Sequence, residues 1–177
     1  EGKILKIDTS LGFNKGKPKA NNRLFNKQLG GGSILDLGSY PVSMSNLIAN
    51  IFNEEKNIIP EVRNVNGTIY NSEIDINAEA ELFYSNGITS KVKVSINENL
   101  NNVTTIFGTS GKLIICEPWM PNKDSIIELH QNERIQKLKT DSKFKILTSQ
   151  IDEFNKNIEK RNLECDYPLM SIDKSVD

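Results

Sequence analysis

An aspartate and a tyrosine that could form a proton-transfer pair stand four residues apart in the most informative segment of the chain. Asp36 and Tyr40 follow three glycines within Leu29-Gly-Gly-Gly-Ser-Ile-Leu-Asp-Leu-Gly-Ser-Tyr-Pro-Val-Ser. Residues four apart on a helix share one face, so the carboxylate and the phenol would lie within hydrogen-bond reach. A phenol has an ordinary pKa of about 10, so proton exchange near neutral pH would need a neighbouring cation. In the alternative interpretation, Asp36 only caps the helix and Tyr40 packs with its hydroxyl in water.

The elements that would position this pair are a long loop and the helix that follows it. After a short strand, residues 9–33 are predicted to form a loop rich in Gly, Asn and Lys. Loops of that length in compact domains are usually functional or disordered. Ser33 and Asp36 form a Ser-x-x-Asp capping pattern, which predicts that the helix begins here. Gly38 and Pro41 predict a kink or an irregular turn in its first part.

The rest of the chain predicts a sheet and a second helix. Between residues 61 and 140, short segments alternate apolar and polar side chains, as half-buried strands do. The two clearest strands, residues 74–84 and 88–96, flank Ser85-Asn86-Gly87, a hairpin-turn signal. Glutamates of the first strand would face lysines of the second, which leaves one sheet face apolar and the other charged. Apolar residues three and four apart predict an amphipathic helix over residues 142–161. This order predicts an α+β fold, with helices on one face of an open, largely antiparallel sheet of about six strands.

Composition excludes several classes of protein. The 177 residues include 22 basic and 23 acidic side chains, so there is no basic excess to neutralise nucleic-acid phosphates. No apolar run approaches the roughly 20 residues that span a bilayer, and the first residues have no signal-peptide core. Two cysteines and one histidine argue against a Cys-based zinc site and the common His-rich metal centres. We therefore expect a single cytoplasmic domain over residues 1–177, with no metal, membrane or nucleic-acid partner.

Several motifs together resemble a known family. The glycine-rich segment is similar to the central motif of the glucose–fructose oxidoreductase / inositol dehydrogenase / MocA (Gfo/Idh/MocA) superfamily. Phe107-Gly-Thr-Ser-Gly-Lys-Leu-Ile-Ile-Cys-Glu-Pro-Trp119 looks like a strand pair of that family, and residues 151–154 and 167–175 look like its late helix and closing segment. The resemblance is nearest to the dihydrodiol dehydrogenase-like branch, which carries a tyrosine where inositol-dehydrogenase-like members carry a histidine.

The resemblance implies that the chain is the C-terminal domain of a two-domain, NAD(P)-dependent dehydrogenase. Members bind NAD or NADP in a Rossmann domain, whose Gly-x-Gly-x-x-Gly fingerprint differs from residues 30–32 in spacing and context. The family's Glu-Lys-Pro motif, with its catalytic lysine, is also missing, and Lys17-Pro18 lies on the wrong side of the glycines to replace it. We therefore expect the chain alone to be inactive and the cofactor to be bound mainly by the other domain.

The same resemblance assigns roles to individual residues. By motif position, Tyr40 and Asp36 match the family's proton-donating and acidic residues. Arg23 lies where related enzymes often place an arginine that faces the substrate. Trp119 would line the substrate pocket or simply anchor the sheet.

The cofactor, substrate and partners follow from the resemblance as well. The glycine run would bring the backbone of Gly31 and Gly32 close to the cofactor. The substrate is expected to be a sugar, polyol or diol. Family members commonly associate through the open sheet face, so a homodimer or higher homo-oligomer is expected.

Two other functions remain as alternatives. A non-catalytic binding or dimerisation module could use the same fold, and a Rossmann fingerprint encoded before Glu1 would favour the oxidoreductase instead. A small hydrolase would need a nucleophile with a base, but His130 has no serine or cysteine motif beside it. His130 is expected near a strand end in a polar surface role, Cys116 in the core, and Cys165 as a free thiol.

Overall fold

One open sheet dominates the fold. The structure, a computed structural model, describes residues 2–19, 21–52, 58–71, 73–122, 124–140 and 148–164. Within these residues there are eight strands: β1 (Ile4–Gly12), β2 (Glu61–Tyr70), β3 (Ile74–Phe83), β4 (Thr89–Ser95), β5 (Val103–Gly108), β6 (Gly111–Cys116), β7 (Ile126–Gln131) and β8 (Arg134–Lys139). They lie in the order β2-β3-β4-β1-β5-β6-β7-β8, and only β1 and β4 pair in parallel. The predicted fold class is confirmed, whereas the expected number of about six strands is wrong.

Helices of three kinds lie between β1 and β2 and after β8 in the chain. Two short 3-10 helices precede a π-helix, which leads directly into α1; α2 follows β8 in the chain. Their bounds are Arg23–Phe25, Lys27–Leu29, Ile34–Gly38 for the π-helix, Ser39–Asn50 for α1 and Thr148–Lys160 for α2. The second helix is confirmed over this range, and residues 142–147 of its prediction lie outside the described residues. Neither α1 nor α2 has the length and apolar character that crossing a membrane requires.

The long loop and the strand count are the two errors in the predicted elements. Residues 9–12 belong to β1, which pairs in parallel with β4 and sets Thr9 opposite Val92. Residues 23–29 form the two 3-10 helices and their junction. The strand absent from the prediction is β2, an edge strand that is exposed almost throughout. Asn64, at φ 51°, and a register shift interrupt its alternation, which removes the usual sequence signal of a strand.

The hairpin of β3 and β4 is formed as predicted. Gly87 occupies the turn at φ 86°, a conformation that favours glycine. Glu79 lies opposite Lys93 and Glu81 lies opposite Lys91, so the glutamates of one strand face the lysines of the other. This charged row lies on the open face of the sheet.

The opposite face carries α1 and the hydrophobic core. Ile7 of β1, Leu82 of β3 and Ile48 of α1 belong to one buried cluster, and α1 packs on β1 and β4. Burial of a side chain of this size contributes about 1.5–3 kcal/mol. A second cluster joins Phe25 of the first 3-10 helix and Leu37 of the π-helix to the inner face of β3 and β4. The segment around residues 23–38 is therefore held against the sheet by its own apolar side chains.

Glu128 and His130 of β7 lie on the open face. His130 Nε2 is 3.0 Å from a Glu128 carboxylate oxygen, and Lys137 Nζ is 3.0 Å from the other. Hydrogen bonds with His130 and Lys137 hold the pKa of the half-buried Glu128 carboxyl below its ordinary value. Cys116 also lies on the open face and is half-buried, so its predicted core position is wrong. Cys165 lies outside the described residues.

Candidate active site

An ion pair connects two of the predicted site residues at the start of α1. Asp36 lies in the π-helix, and its carboxylate pairs with the guanidinium of Arg23 from the first 3-10 helix. The Asp36 side chain is 18% exposed and that of Arg23 is 54% exposed. The pair ties the segment before the glycines to the helix after them. The charge of Arg23 is thereby matched within the chain.

An aromatic contact connects Tyr40 and Trp119, two further predicted site residues. The rings of Tyr40 and Trp119 meet edge to face, with centroids 6.1 Å apart and an interplanar angle of 76°. The Trp119 indole N–H donates to the Ser10 carbonyl oxygen at 2.9 Å, which fastens Trp119 to β1. Trp119 therefore anchors the sheet, and the same ring braces Tyr40. The Tyr40 side chain nevertheless stays half exposed.

Asp36 and Tyr40 themselves turn to different partners. Within the described part of the chain, no hydrogen bond joins the two side chains. The π-helix accounts for this, because its hydrogen bonds join residues five apart and so change the alignment expected of an α-helix. The irregular turn predicted near Gly38 takes this form, since the π-helix ends at that residue. Such π-helical turns frequently occur at functional sites.

The glycine run is packed against the 3-10 helices. The Gly31 amide donates to the Asn26 carbonyl at 2.9 Å, and the Gly32 amide donates to the Leu24 carbonyl at 3.0 Å. A Cβ on Gly31 would lie 2.7–2.8 Å from three backbone carbonyl oxygens, those of Arg23, Leu24 and Asn26. Close packing thus explains why residue 31 is a glycine. The cofactor contact of Gly31 and Gly32 stays a prediction, and both amides already donate hydrogen bonds within the chain.

A carboxylate from the sheet caps the helix that carries the site. Oδ2 of Asp75 on β3 accepts hydrogen bonds from the Ser33 hydroxyl and, at 2.7 Å, from the Ile34 amide. Ser33 itself is helical, at φ −72° and ψ −33°, and its side chain caps no amide. The predicted capping by Ser33 and Asp36 is therefore wrong. Sequence analysis missed Asp75, because an aspartate in an alternating strand carries no local sign of a partner 42 residues away.

The chain by itself offers limited contacts to a nicotinamide nucleotide. The engaged amides of the glycine run leave no backbone cradle there for phosphate groups. Tyr40 can contact a nicotinamide nucleotide, since its side chain is 49% exposed and its hydroxyl makes no hydrogen bond within the described residues. In the same residues, no three His, Cys, Asp or Glu side chains gather closely enough to hold a metal ion.

Sequence comparison identifies the family. The model of the GFO/IDH/MocA C-terminal domain matches residues 2–114, more than half of the chain. The chain belongs to this family. The matched range includes Arg23, the glycine run, Asp36 and Tyr40, whereas Trp119 and α2 lie beyond it. The family resemblance inferred from the motifs is thus confirmed. No curated protein matches the sequence.

Solved structures share the fold at low sequence identity. KijD10, a 3-ketoreductase from Actinomadura kijaniata in complex with NADP and TDP-benzene, aligns with a TM-score of 0.78 and 16% identity over 90% of this chain and 47% of its own. Aldose-aldose oxidoreductase from Caulobacter crescentus, complexed with glycerol, aligns with a TM-score of 0.78 and 16% identity over 98% and 49%. An NAD-binding protein from Listeria innocua aligns with a TM-score of 0.61 and 18% identity over 92% and 47%. The chain thus spans about half the length of each of these proteins.

Proposed function

We propose that this chain is the C-terminal, substrate-facing half of an NAD(P)-dependent oxidoreductase that acts on a hydroxyl carbon of a sugar, polyol or diol. The observation that carries the proposal is the half-exposed Tyr40 phenol, braced by Trp119 on the helix that holds Asp36. Membership of the GFO/IDH/MocA C-terminal domain family supports it, as does the similarity to half of two oxidoreductases. The chain alone is then expected to be inactive.

In this proposal, Tyr40 exchanges the proton of the substrate hydroxyl. NAD or NADP, when bound, supplies the hydride acceptor or donor. A phenol needs a nearby cation to lose its proton near neutral pH, and the guanidinium of Arg23 is already paired with Asp36. The cation must therefore come from outside this pair.

Asp36, Arg23 and Trp119 would bind and orient the substrate around Tyr40. The mostly buried Asp36 carboxylate, held by Arg23, can accept a hydrogen bond from a second substrate hydroxyl. The half-exposed Arg23 can donate its remaining N–H groups to substrate oxygens. Trp119 limits the rotation of the Tyr40 ring, so the phenol oxygen is presented in a restricted direction.

Self-association through the open face belongs to the same proposal. Lys91 on β4 lies between Glu81 on β3 and Asp8 on β1, so the charges alternate in sign across the sheet. A second copy related by a two-fold axis could set opposite charges against each other. Reversing one charge with Lys91→Glu is expected to raise the dimer dissociation constant in sedimentation experiments. A cytoplasmic location stays a prediction.

The test uses a polypeptide that carries this chain together with a nucleotide-binding half. Tyr40→Phe is expected to lower kcat for polyol or sugar oxidation by about 10²–10⁴-fold and to change the pH profile, because proton exchange is lost. Tyr70→Phe is the matched control, since Tyr70 lies on β2 against Phe25 and away from Trp119. Unchanged hydride-transfer rates across pH in Tyr40→Phe would refute the role of Tyr40. Turnover by the purified 177-residue chain would contradict its expected inactivity.

A further inference from the structure

Two Asn-Gly pairs occur in the chain, and the fold holds them differently. Asn66-Gly67 lies in β2, and Asn86-Gly87 lies in the turn between β3 and β4. An Asn-Gly pair can react with itself, because glycine has no Cβ to keep the preceding side chain away from its amide nitrogen. Whether the reaction occurs in the folded chain depends on how the asparagine side chain and the glycine amide are held.

The reaction is a ring closure followed by hydrolysis. The glycine nitrogen loses its proton and bonds to the asparagine Cγ, and the bond from Cγ to Nδ2 breaks, which releases ammonia. The product is a cyclic succinimide. Water then adds to either ring carbonyl and opens the ring, which leaves aspartate or isoaspartate. Solvent water is the only co-reactant.

The fold restrains Asn86 at the groups that must move in this reaction. Its Nδ2 donates to the Ala49 carbonyl of α1 at 2.9 Å, and its Oδ1 accepts from the Ile88 amide at 3.2 Å. The Gly87 amide donates to the Tyr84 carbonyl at 2.9 Å. Ring closure at Asn86 therefore requires these hydrogen bonds to break, which means that the turn must open first.

The side chain of Asn66 is instead turned toward the amide that would attack it. The Gly67 amide donates to Asn66 Oδ1 at 2.9 Å, so its nitrogen lies close to Cγ, the carbon bonded to that oxygen. Asn66 is exposed, and its Nδ2 donates no hydrogen bond to any other described residue. The leaving amide group is thus free to depart into water.

The strand is also irregular at this point. Asn64 adopts φ 51°, and the register with β3 shifts between Arg63 and Asn66. A bulge of this kind disrupts the ladder locally. Since β2 is an edge strand, its other side has no neighbouring strand to restrain it. The backbone around Asn66 therefore needs less distortion to close the ring than the backbone of a regular, central strand.

We propose that Asn66 is a site of spontaneous deamidation in the folded chain, whereas Asn86 is protected. Conversion to aspartate places a new negative charge on the open face, directly opposite Glu79. Isoaspartate in addition lengthens the main chain of β2 by a methylene group. Both products weaken the pairing of β2 with β3, because like charges that face each other across two strands repel. This modification does not depend on the proposed function.

The experiment follows both asparagines in one sample. The purified, folded chain is incubated at mildly alkaline pH and digested with trypsin, which cleaves after Arg63 and Lys91 and leaves both Asn-Gly pairs in one peptide. Fragment ions then assign the mass change, replacement of NH2 by OH, to either residue. Asn86 is the matched control, because it has the same following residue and is read from the same peptide. Asn66→Gln should show no mass change at residue 66, since its longer side chain would have to close a larger ring.

Asn66 is expected to convert at least about tenfold faster than Asn86 in the folded chain, because only Asn86 must wait for local opening. In guanidinium chloride the two rates should become about equal, since the unfolded chain holds neither side chain in place. Equal rates in the folded chain, or faster conversion at Asn86, would overturn the proposal. So would an unreacted Asn66 in the folded chain over a period in which the unfolded chain reacts.

Discussion

Replacement of Asp75 tests how the sheet positions the candidate site. Its carboxylate accepts hydrogen bonds from the Ser33 hydroxyl and, at 2.7 Å, from the Ile34 amide in the first turn of the helix. Ser33 is fully buried, so removing the carboxylate leaves its hydroxyl without an acceptor and without water. The amides of a first helical turn have no partner inside the helix and depend on such a cap.

The expected loss follows from these two bonds. A hydrogen bond to a charged group contributes about 1.5–3 kcal/mol, and a helix cap about 0.5–2 kcal/mol. Because one carboxylate makes both bonds, the values do not simply add. We expect Asp75→Ala to lower the free energy of unfolding by about 3 kcal/mol, equivalent to a fall in Tm of about 6–12 °C. Asp75→Asn should cost about 1 kcal/mol, since its amide oxygen still accepts from Ile34.

Urea unfolding followed by tryptophan fluorescence measures both losses. Trp119 is the single tryptophan and touches Tyr40, so its emission also reports whether the site keeps its environment. Asp124→Ala is the control, because Asp124 is exposed and its side chain is not part of the helix cap. If Asp75→Ala unfolds within about 0.5 kcal/mol of Asp124→Ala at unchanged m-value, the cap does not stabilise the helix and the reasoning is refuted.

Four further predictions concern stability. Gly31→Ala should lower the free energy of unfolding by about 2 kcal/mol or more, because its Cβ would meet three carbonyl oxygens at 2.7–2.8 Å. Gly38→Ala should raise the free energy of unfolding by about 0.5–1 kcal/mol, since Gly38 is helical and an added Cβ would make ordinary van der Waals contact. Equal effects of the two glycine substitutions in thermal melts would contradict both predictions. Burial raises the pKa of Tyr84. The contribution of Tyr84 to the free energy of unfolding is therefore complete below pH about 10 and is lost as the pH rises further. Tyr84→Phe should therefore flatten the alkaline fall in urea-unfolding free energy, and an unchanged fall would refute this. The pKa of Glu128 is lowered in the folded chain. Its contribution to the free energy of unfolding is therefore complete above pH about 4.5 and is lost as the pH falls further. Glu128→Gln should lose less stability on acidification than the parent chain, and an equal loss would count against the assigned pairing.

Local patterns predicted the elements whose signals lie within a few residues. The β3–β4 hairpin followed from two alternating segments around Asn86-Gly87, and α2 followed from its three- and four-residue spacing. The strand β2 was not predicted, because an exposed edge strand with a bulge has no apolar alternation. The end of β1 was not predicted, because its parallel partner, β4, lies about 80 residues further along the chain.

The candidate site, too, was predicted in part from local sequence and depended in part on the tertiary structure. The glycine motif selected Asp36 and Tyr40 and carried part of the family resemblance, since close packing and backbone geometry restrict which residues fit there. A regular α-helix, assumed from the spacing, would have joined these two side chains directly. The π-helix at Ile34–Gly38 prevented this, because its hydrogen bonds join residues five apart rather than four.

The sequence by itself determined the α+β class, the hairpin and the family, because alternation, helical spacing and a glycine motif are properties of neighbouring residues. Only the tertiary structure decided that Arg23 pairs with Asp36, that Trp119 braces Tyr40 and that Asp75 caps the helix. These contacts join residues that are 13, 79 and 42 positions apart. Such pairs meet only when strand order and register bring their elements together, and packing of the whole sheet sets both.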